Sequence, residues 1–249
     1  YNGEPGYAYA QQSNPLLTWE KNKPFNIGLD FRFFDRFSGT VDYYNRITSD
    51  LLLNVPISGT NGITSYLANV GEMRNRGWEI SLQSVNIDQS NGFFWSTDFN
   101  ITTNDNEVLK LRNGEPIVDN PHIRREGKDF YTFYMPGYAG VNPDNGEALW
   151  YTDETESETT NNYGEADHYD QGSGLPDFYG GLTNTLRYKN IDFSFLLYFN
   201  WGNKVYDYWA RYLHSDGSAQ LNDRGNMSRK VYERRWQEPG DITDMPKVV

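Results

Sequence analysis

Six segments of this chain alternate between apolar and polar residues with period two, and nothing of comparable length alternates with the helical period. They span residues 25–33, 37–44, 78–84, 93–102, 181–188 and 191–200. In the first, Phe25, Ile27, Leu29, Phe31 and Phe33 share one face, and Asn26, Gly28, Asp30 and Arg32 share the other. In the last, Ile191, Phe193, Phe195, Leu197 and Phe199 oppose Asp192, Ser194, Leu196, Tyr198 and Asn200. Over all six, 23 of 27 positions on one face are apolar, against 4 of 25 on the other. One face therefore meets an oily medium and the other meets water.

The connections between these segments alternate in length. Asp35-Arg36, residues 88–92 and Lys189-Asn190 are short and rich in turn residues. Residues 54–75, residues 106–179 and the stretch from Gly202 onward are long and polar. Short turns alternating with long loops predict an all-β, antiparallel transmembrane β-barrel, with short periplasmic turns and long extracellular loops. Rings gather beside each short turn: Phe33, Phe34 and Phe37, then Phe93, Phe94 and Trp95, then Tyr188 and Phe193. Such grouping fits an interfacial girdle. A soluble β-sandwich also alternates, but its turn signals recur about every 8–12 residues, and here the spacing is grossly uneven. Bacterial barrels start at about eight strands, and lipid tolerates no open sheet edge. About six strands are thus expected to form a partial barrel, with residues 1–249 a fragment of a larger barrel domain.

Composition narrows the function classes. Lys and Arg total 22 against 34 Asp and Glu, a net charge of −12, which argues against nucleic acid as a partner. No cysteine is present, so disulfides and thiolate chemistry are excluded. With 7 Trp, 19 Tyr and 14 Phe the chain is too aromatic for wholesale disorder. Its longest apolar run, residues 193–199, is far short of the roughly 20 residues of a membrane-spanning helix. The opening residues have neither the basic start nor the apolar stretch of a signal peptide.

Several motifs, taken in order, carry a resemblance. They are Asn14-Pro-Leu-Leu-Thr-Trp-Glu20 with Asn26-Ile-Gly-Leu-Asp-Phe31, Val41-Asp-Tyr-Tyr-Asn45, Asp50-Leu-Leu-Leu53, and Asn69-Val-Gly-Glu-Met-Arg-Asn-Arg-Gly77 with Glu79. Further on come Gly140-Val-Asn-Pro-Asp-Asn-Gly-Glu147, Leu175-Pro-Asp-Phe-Tyr-Gly-Gly181 and Arg235-Trp-Gln-Glu-Pro-Gly-Asp-Ile-Thr-Asp-Met-Pro246. This ordered set resembles the SusC/RagA-like TonB-linked outer-membrane transporters of Bacteroidota. The resemblance implies a 22-stranded barrel in the outer-membrane lipid, an N-terminal plug reached by the TonB complex, and a SusD-like lipoprotein as external lid. It also implies import of nutrients such as glycans or peptides. The chain resembles part of the C-terminal half of such a barrel, so plug, TonB box and terminal strands are expected outside it.

Catalytic chemistry finds little support, and no enzyme is expected. His122, His168 and His214 lie far apart without metal-ligand spacing, and neither a nucleophile elbow nor a phosphate-binding loop appears. Asn100-Ile-Thr102 and Asn226-Met-Ser228 match the glycosylation pattern by chance. No cofactor is expected except calcium at the acidic run Asp153, Glu154, Glu156 and Glu158, which a solvated loop explains as well. Ligand or partner contact falls to loop aromatics: Trp150, Tyr151, Tyr163 and Tyr169, then Trp209 and Tyr212, near Trp201, Tyr206 and Tyr208. Ordinary loop packing is the competing explanation for each ring. Asp30, Arg32, Asp42, Glu79, Asp98, Arg187 and Asp192 are expected on the lumen side, where charges on adjacent strands can compensate one another. A soluble carbohydrate-binding or adhesive β-domain and a passive porin-like barrel are the alternatives.

Overall fold

The computed structural model describes residues 13–217 and 226–248. The strands follow in the order β1 (Lys21–Phe33), β2 (Phe37–Pro56), β3 (Ser65–Ser90), β4 (Phe93–Thr103), β5 (Asp105–Lys110), β6 (Ile117–Asp119) and β7 (His122–Arg124). Next come β8 (Thr132–Met135), β9 (Tyr138–Val141), β10 (Ala148–Tyr151), β11 (Thr159–Thr160), β12 (Tyr169–Ser173), β13 (Phe178–Tyr188) and β14 (Ile191–Trp201). Short helices α1 (Tyr208–Leu213) and α2 (Arg229–Arg234) close the order. The chain divides into two compact units. One comprises residues up to Asp119, Ile123–Tyr131 and Leu175–Asn203; the other comprises Asn120–His122, Thr132–Gly174 and residues from Lys204 onward.

The first unit is one antiparallel sheet in the order β1-β2-β3-β4-β13-β14, with β5 also paired to β3. All six alternating segments lie in these strands. Directly paired residues share a face, so the register can be followed across the sheet. Leu29 pairs with Val41, Val41 with Ile80, and Ile80 with Ile101. The next row runs Phe31, Gly39, Leu82, Phe99, Leu182 and Leu197. Both rows are apolar, and side chains of this face stay exposed: Leu29 by 65% and Phe193 by 59%. A soluble sandwich would bury that face against a second sheet. The sheet does not close, and β1 and β14 are its outer strands.

The expected loop at residues 54–75 is much shorter. β2 and β3 run on as a hairpin, leaving residues 57–64 as its tip with a 3-10 turn at Gly59–Asn61. A bulge hides the continuation from a period-two reading. Asp50 takes φ 59°, and the register slips between Ser49 and Leu51 and again before Leu52. Beyond the slip, Leu51 and Leu53 are buried with Val108, Leu111 and Ile117 in a small core, and Leu52 points out.

The bulge is pinned by the segment before β1. Leu52 N donates to Glu20 Oε1 at 2.9 Å. Asn69 Nδ2 donates to Thr18 O and Asp50 O at 2.9 and 2.7 Å, while Asn69 Oδ1 accepts from Thr18 N. Three separate motifs thus meet at one irregularity, where each satisfies backbone groups that the broken ladder leaves open.

The loop expected over residues 106–179 is largely ordered too. It supplies β5 to the first unit and most of the second. In the second unit β9, β10 and β11 form an antiparallel sheet, and β8 pairs with β12. Short strands with frequent turns escape a periodicity window, which explains why they read as loop. Another pair of motifs meets here. Trp236 Nε1 donates to Pro143 O at 3.0 Å, Gly240 N donates to the same oxygen at 2.9 Å, and Lys247 N donates to Gly146 O at 2.9 Å. Gly146 has φ 74° and lies against the Trp236 ring, so a side chain there would strain the backbone and strike the indole.

Candidate functional site

Polar residues of the sheet collect on the face opposite the apolar rows. Asp30 pairs with Thr40, Asp42 with Glu79, Gln83 with Asp98, and Arg187 with Asp192. All seven charged residues expected to line a lumen therefore share one face. Their compensation is uneven. Arg187 reaches Asp192 at 3.3 Å and Gln83 Nε2 donates to Asp98 at 2.9 Å, whereas Arg32 pairs with Asp35 in its own turn at 3.3 Å. Asp30, Asp42 and Glu79 join no ion pair among the described residues, so the expected inter-strand pairing holds in part. Gly28 lies under the Asp42 carboxylate, leaving room for that side chain beside Asp30.

A cavity of about 600 Å³ opens on this face. Asn26, Tyr44, Arg46, Asn75, Glu79 and Asn104 line it, with Tyr179 and the Leu175-Pro176 turn. Tyr44 Oη donates to Thr103 O and contacts Asn104 Oδ1 at 3.0 and 2.8 Å, and Asn75 Oδ1 accepts from Asn106 Nδ2 at 2.8 Å. Gly77 makes this possible, since a Cβ there would collide with the Thr103 carbonyl. The wall thus offers carboxamides, hydroxyls and one charge of each sign, suited to hydrogen-bonding a polar surface or solute. Of its residues only Glu79 was among those expected on the lumen side; Asn26 and Tyr44 lie within the alternating segments, and Arg46, Asn75, Asn104 and Tyr179 lie just outside them.

The loop aromatics fall into three groups within the second unit. Trp150 meets Tyr163 edge-on at 5.4 Å and Tyr138 at 6.4 Å. Tyr151 and Tyr169 pack over Gly137, and the Tyr169 hydroxyl donates to Glu156 at 2.9 Å. Trp209 and Tyr212 stand on α1 with Tyr208, whose ring lies 5.7 Å from Trp209 and 5.4 Å from Tyr212. Tyr169 is buried and braces the acidic turn, and burial raises its hydroxyl above the ordinary tyrosine range. Tyr138 rises to about 12, through burial first and the Asp244 carboxylate second.

Among the described residues of this unit the three histidines stand apart from one another. His122 stacks on Phe133 at 4.7 Å, His168 sits 5.5 Å from Tyr134, and His214 ends α1. In the acidic run, Asp153 accepts from Thr155 N and Oγ1 at 2.8 and 2.5 Å, which holds its carboxyl below the usual range. Glu156 turns back to Tyr169. Among the described residues no three His, Asp or Glu side chains converge as metal ligands.

Comparisons with known proteins agree with this geometry. Residues 1–124 match the family model described as TonB dependent receptor-like, beta-barrel. The chain is 31% identical to TonB-dependent receptor P39 of Formosa agariphila, covering 100% of itself and 28% of that protein. It is 32% identical to TonB-dependent receptor SusC of Bacteroides thetaiotaomicron over 90% of itself and 23% of SusC. The solved structure of the RagAB peptide transporter superposes with a TM-score of 0.80 at 28% identity, over 100% of this chain and 28% of that one. The chain spans about a quarter of the length of these relatives.

Proposed function

Because the chain belongs to the SusC/RagA-like TonB-dependent receptors of the outer membrane, we propose that it forms part of the barrel wall of an active nutrient importer. The two-faced register carries this reading. One face of the sheet is predominantly apolar and fit for lipid, with Ser84, Thr97 and Asn184 side by side on it and Thr97 hydrogen-bonded to Asn184, and the other presents Asp30, Asp42, Glu79 and the 600 Å³ polar cavity. In the complete protein that polar face lines the lumen, against plug or passing solute. The short turns at Asp35-Arg36 and Lys189-Asn190 face the periplasm, following the turn-length asymmetry of outer-membrane barrels.

The chain's role is passage and positioning, without bond chemistry. Energy comes from TonB acting on the plug. Cargo is a glycan or a peptide; the superposed RagAB structure is that of a peptide transporter, which keeps peptides in view. A SusD-like lipoprotein covers the outer mouth, and aromatic, acidic loops suit such a protein partner. Uptake by cells carrying the full-length protein tests the reading. Accumulation of cargo should stop when a protonophore collapses the inner-membrane gradient or TonB is deleted. Undiminished uptake under both conditions would mean passive diffusion and refute active import.

A further inference from the structure

We propose that the apolar face of the sheet carries, at its outer edge, a pocket for the phosphoethanolamine headgroup of a membrane lipid. A row of rings crosses that face two residues above the Leu29 row. Tyr43 pairs with Trp78, and Phe178 pairs with Thr103 and Trp201. Thr103 lies ten residues above Phe93 on β4, and Phe178 ten above Tyr188 on β13. At about 3.3 Å per residue and a tilt near 40°, that is a rise of roughly 25 Å, the height of the apolar band. The row therefore stands where hydrocarbon gives way to headgroups, on the side opposite the rings at the short turns.

The sheet splits just above this row. β3 pairs with β4 as far as Thr102 and with β5 from Asp105 onward, whereas β13 leaves β4 at Thr103. A cavity of about 500 Å³ opens there, within the roughly 300–1,000 Å³ usual for small-ligand sites. Tyr43, Arg76, Trp78, Thr103, Asp105 and Asp177 line it.

Its polar groups have capacity to spare. Arg76 Nε and Nη2 both reach Asp105 Oδ2 at 2.7 Å, which leaves Nη1 and the second Asp105 oxygen over. The Trp78 indole N–H and the Asp177 carboxylate make no hydrogen bond among the described residues. The Tyr43 and Trp78 rings, 5.1 Å apart and tilted by 55°, add aromatic surface to the same cavity. Both polar groups are held in place. Trp78 N donates to Thr103 Oγ1 at 3.0 Å, and Asp177 N donates to Trp201 O at 2.9 Å. Gly202, at φ 94°, leaves the space that the Asp177 carboxylate fills.

A lipid headgroup at this height offers a phosphate, to which Arg76 and the indole N–H can donate. An ammonium on the same headgroup needs a carboxylate and gains from a ring face. Asp177 supplies the first, and Tyr43 with Trp78 the second. An anionic headgroup without an ammonium would leave Asp177 unpaired beside a like charge, so the pocket selects the zwitterion.

The pocket rests on the assignment of the apolar face to lipid and not on import. Native mass spectrometry of the full-length protein, titrated with phosphatidylethanolamine and phosphatidylglycerol of equal chain length, tests it. Lipid A with and without a phosphoethanolamine substituent is the second pair of probes. The phosphoethanolamine form should be retained at least about threefold better in one pair or both. Preference within the phospholipid pair assigns a glycerophospholipid as the source, preference within the lipid A pair alone assigns substituted lipid A, and either supports the pocket. Asp177→Asn, which keeps the shape and loses the charge, should abolish the preference, and Trp78→Phe should weaken retention. Asp88→Asn, beside a periplasmic turn, should change neither. Heat-modifiable gel mobility confirms that each variant is folded. Absence of preference in both pairs, or a preference that survives in Asp177→Asn, would overturn the assignment. Headgroup preference kept by a protein whose uptake ignores TonB would count against the import reading alone.

Discussion

Replacing Leu29 by Arg should hinder insertion of the barrel far more than the same change at Phe33. Leu29 lies in the apolar row with Val41, Ile80 and Ile101, four residues from Phe33 at the turn. At about 3.3 Å per residue and a tilt near 40°, that separation is roughly 10 Å of height. An apolar band about 25 Å tall has its midplane about 12 Å from the ring girdle, so Leu29 sits close to the centre. A cation there costs about 2–4 kcal/mol, and near the interface about 0–1 kcal/mol. The larger figure range corresponds to roughly 30- to 900-fold in the folding equilibrium. Asp30→Asn, one residue away on the polar face, should be nearly silent. The assay is the heat-modifiable, folded fraction of the full-length protein in isolated outer membranes, followed across growth temperatures. Equal losses for Leu29→Arg and Phe33→Arg would refute the depth assignment, and equal losses for Leu29→Arg and Asp30→Asn would refute the assignment of faces.

Glu20→Ala should free the Leu52 N–H at a cost of about 1–3 kcal/mol, and limited proteolysis of intact cells should then cut residues 57–64 faster; an unchanged rate would show that the bulge is held by other contacts. An epitope tag near Glu156 should be reached by antibody on intact cells and one near Gly92 only after the outer membrane is opened; the reverse pattern would invert the topology. Deleting residues 152–162 should lower co-purification of the lipoprotein lid, and an unchanged yield would remove that loop from the interface. Tyr138 has its pKa raised from 10 to about 12, by burial first and the Asp244 carboxylate second, so its neutral form is the one that folding favours. Its contribution is complete below about pH 10 and lost as pH rises through 12, and the late-titrating part of a tyrosinate absorbance titration should shrink by one tyrosine in Tyr138→Phe; an unchanged late phase would refute the shift.

The sheet was legible because its physics is periodic. Any strand with lipid on one side and water on the other must alternate, and residues 25–33 or 191–200 need nothing more to declare it. Legibility ended where a second environment began. At Asp50 a bulge shifts the phase by one residue, and beyond it Leu51 and Leu53 turn inward to Val108, a partner more than fifty positions away. No local window contains that partner. An aromatic cavity in the second unit failed to appear for the same reason, since Tyr134, Tyr163 and Tyr206 are spread over more than seventy positions and meet only through tertiary structure. Tyr163 was singled out as a loop ring for ligand or partner contact; nothing in the sequence joined it to Arg211.

Several residues of the motifs behind the family resemblance are spent on the backbone. Glu20 and Asn69 satisfy groups opened by the bulge, and Trp236 binds Pro143 and covers Gly146. Asn69 and the Trp236 indole N–H are engaged with main chain, and Glu20 commits one carboxylate oxygen to it. Other motif residues, Asn26, Tyr44, Asn75 and Glu79, line the wall cavity beside Arg46, where Glu79 and Arg46 join no ion pair among the described residues. Exchanging Arg46 should change what binds without disturbing assembly, while exchanging Asn69 or Trp236 should disturb assembly first and alter binding only as a consequence.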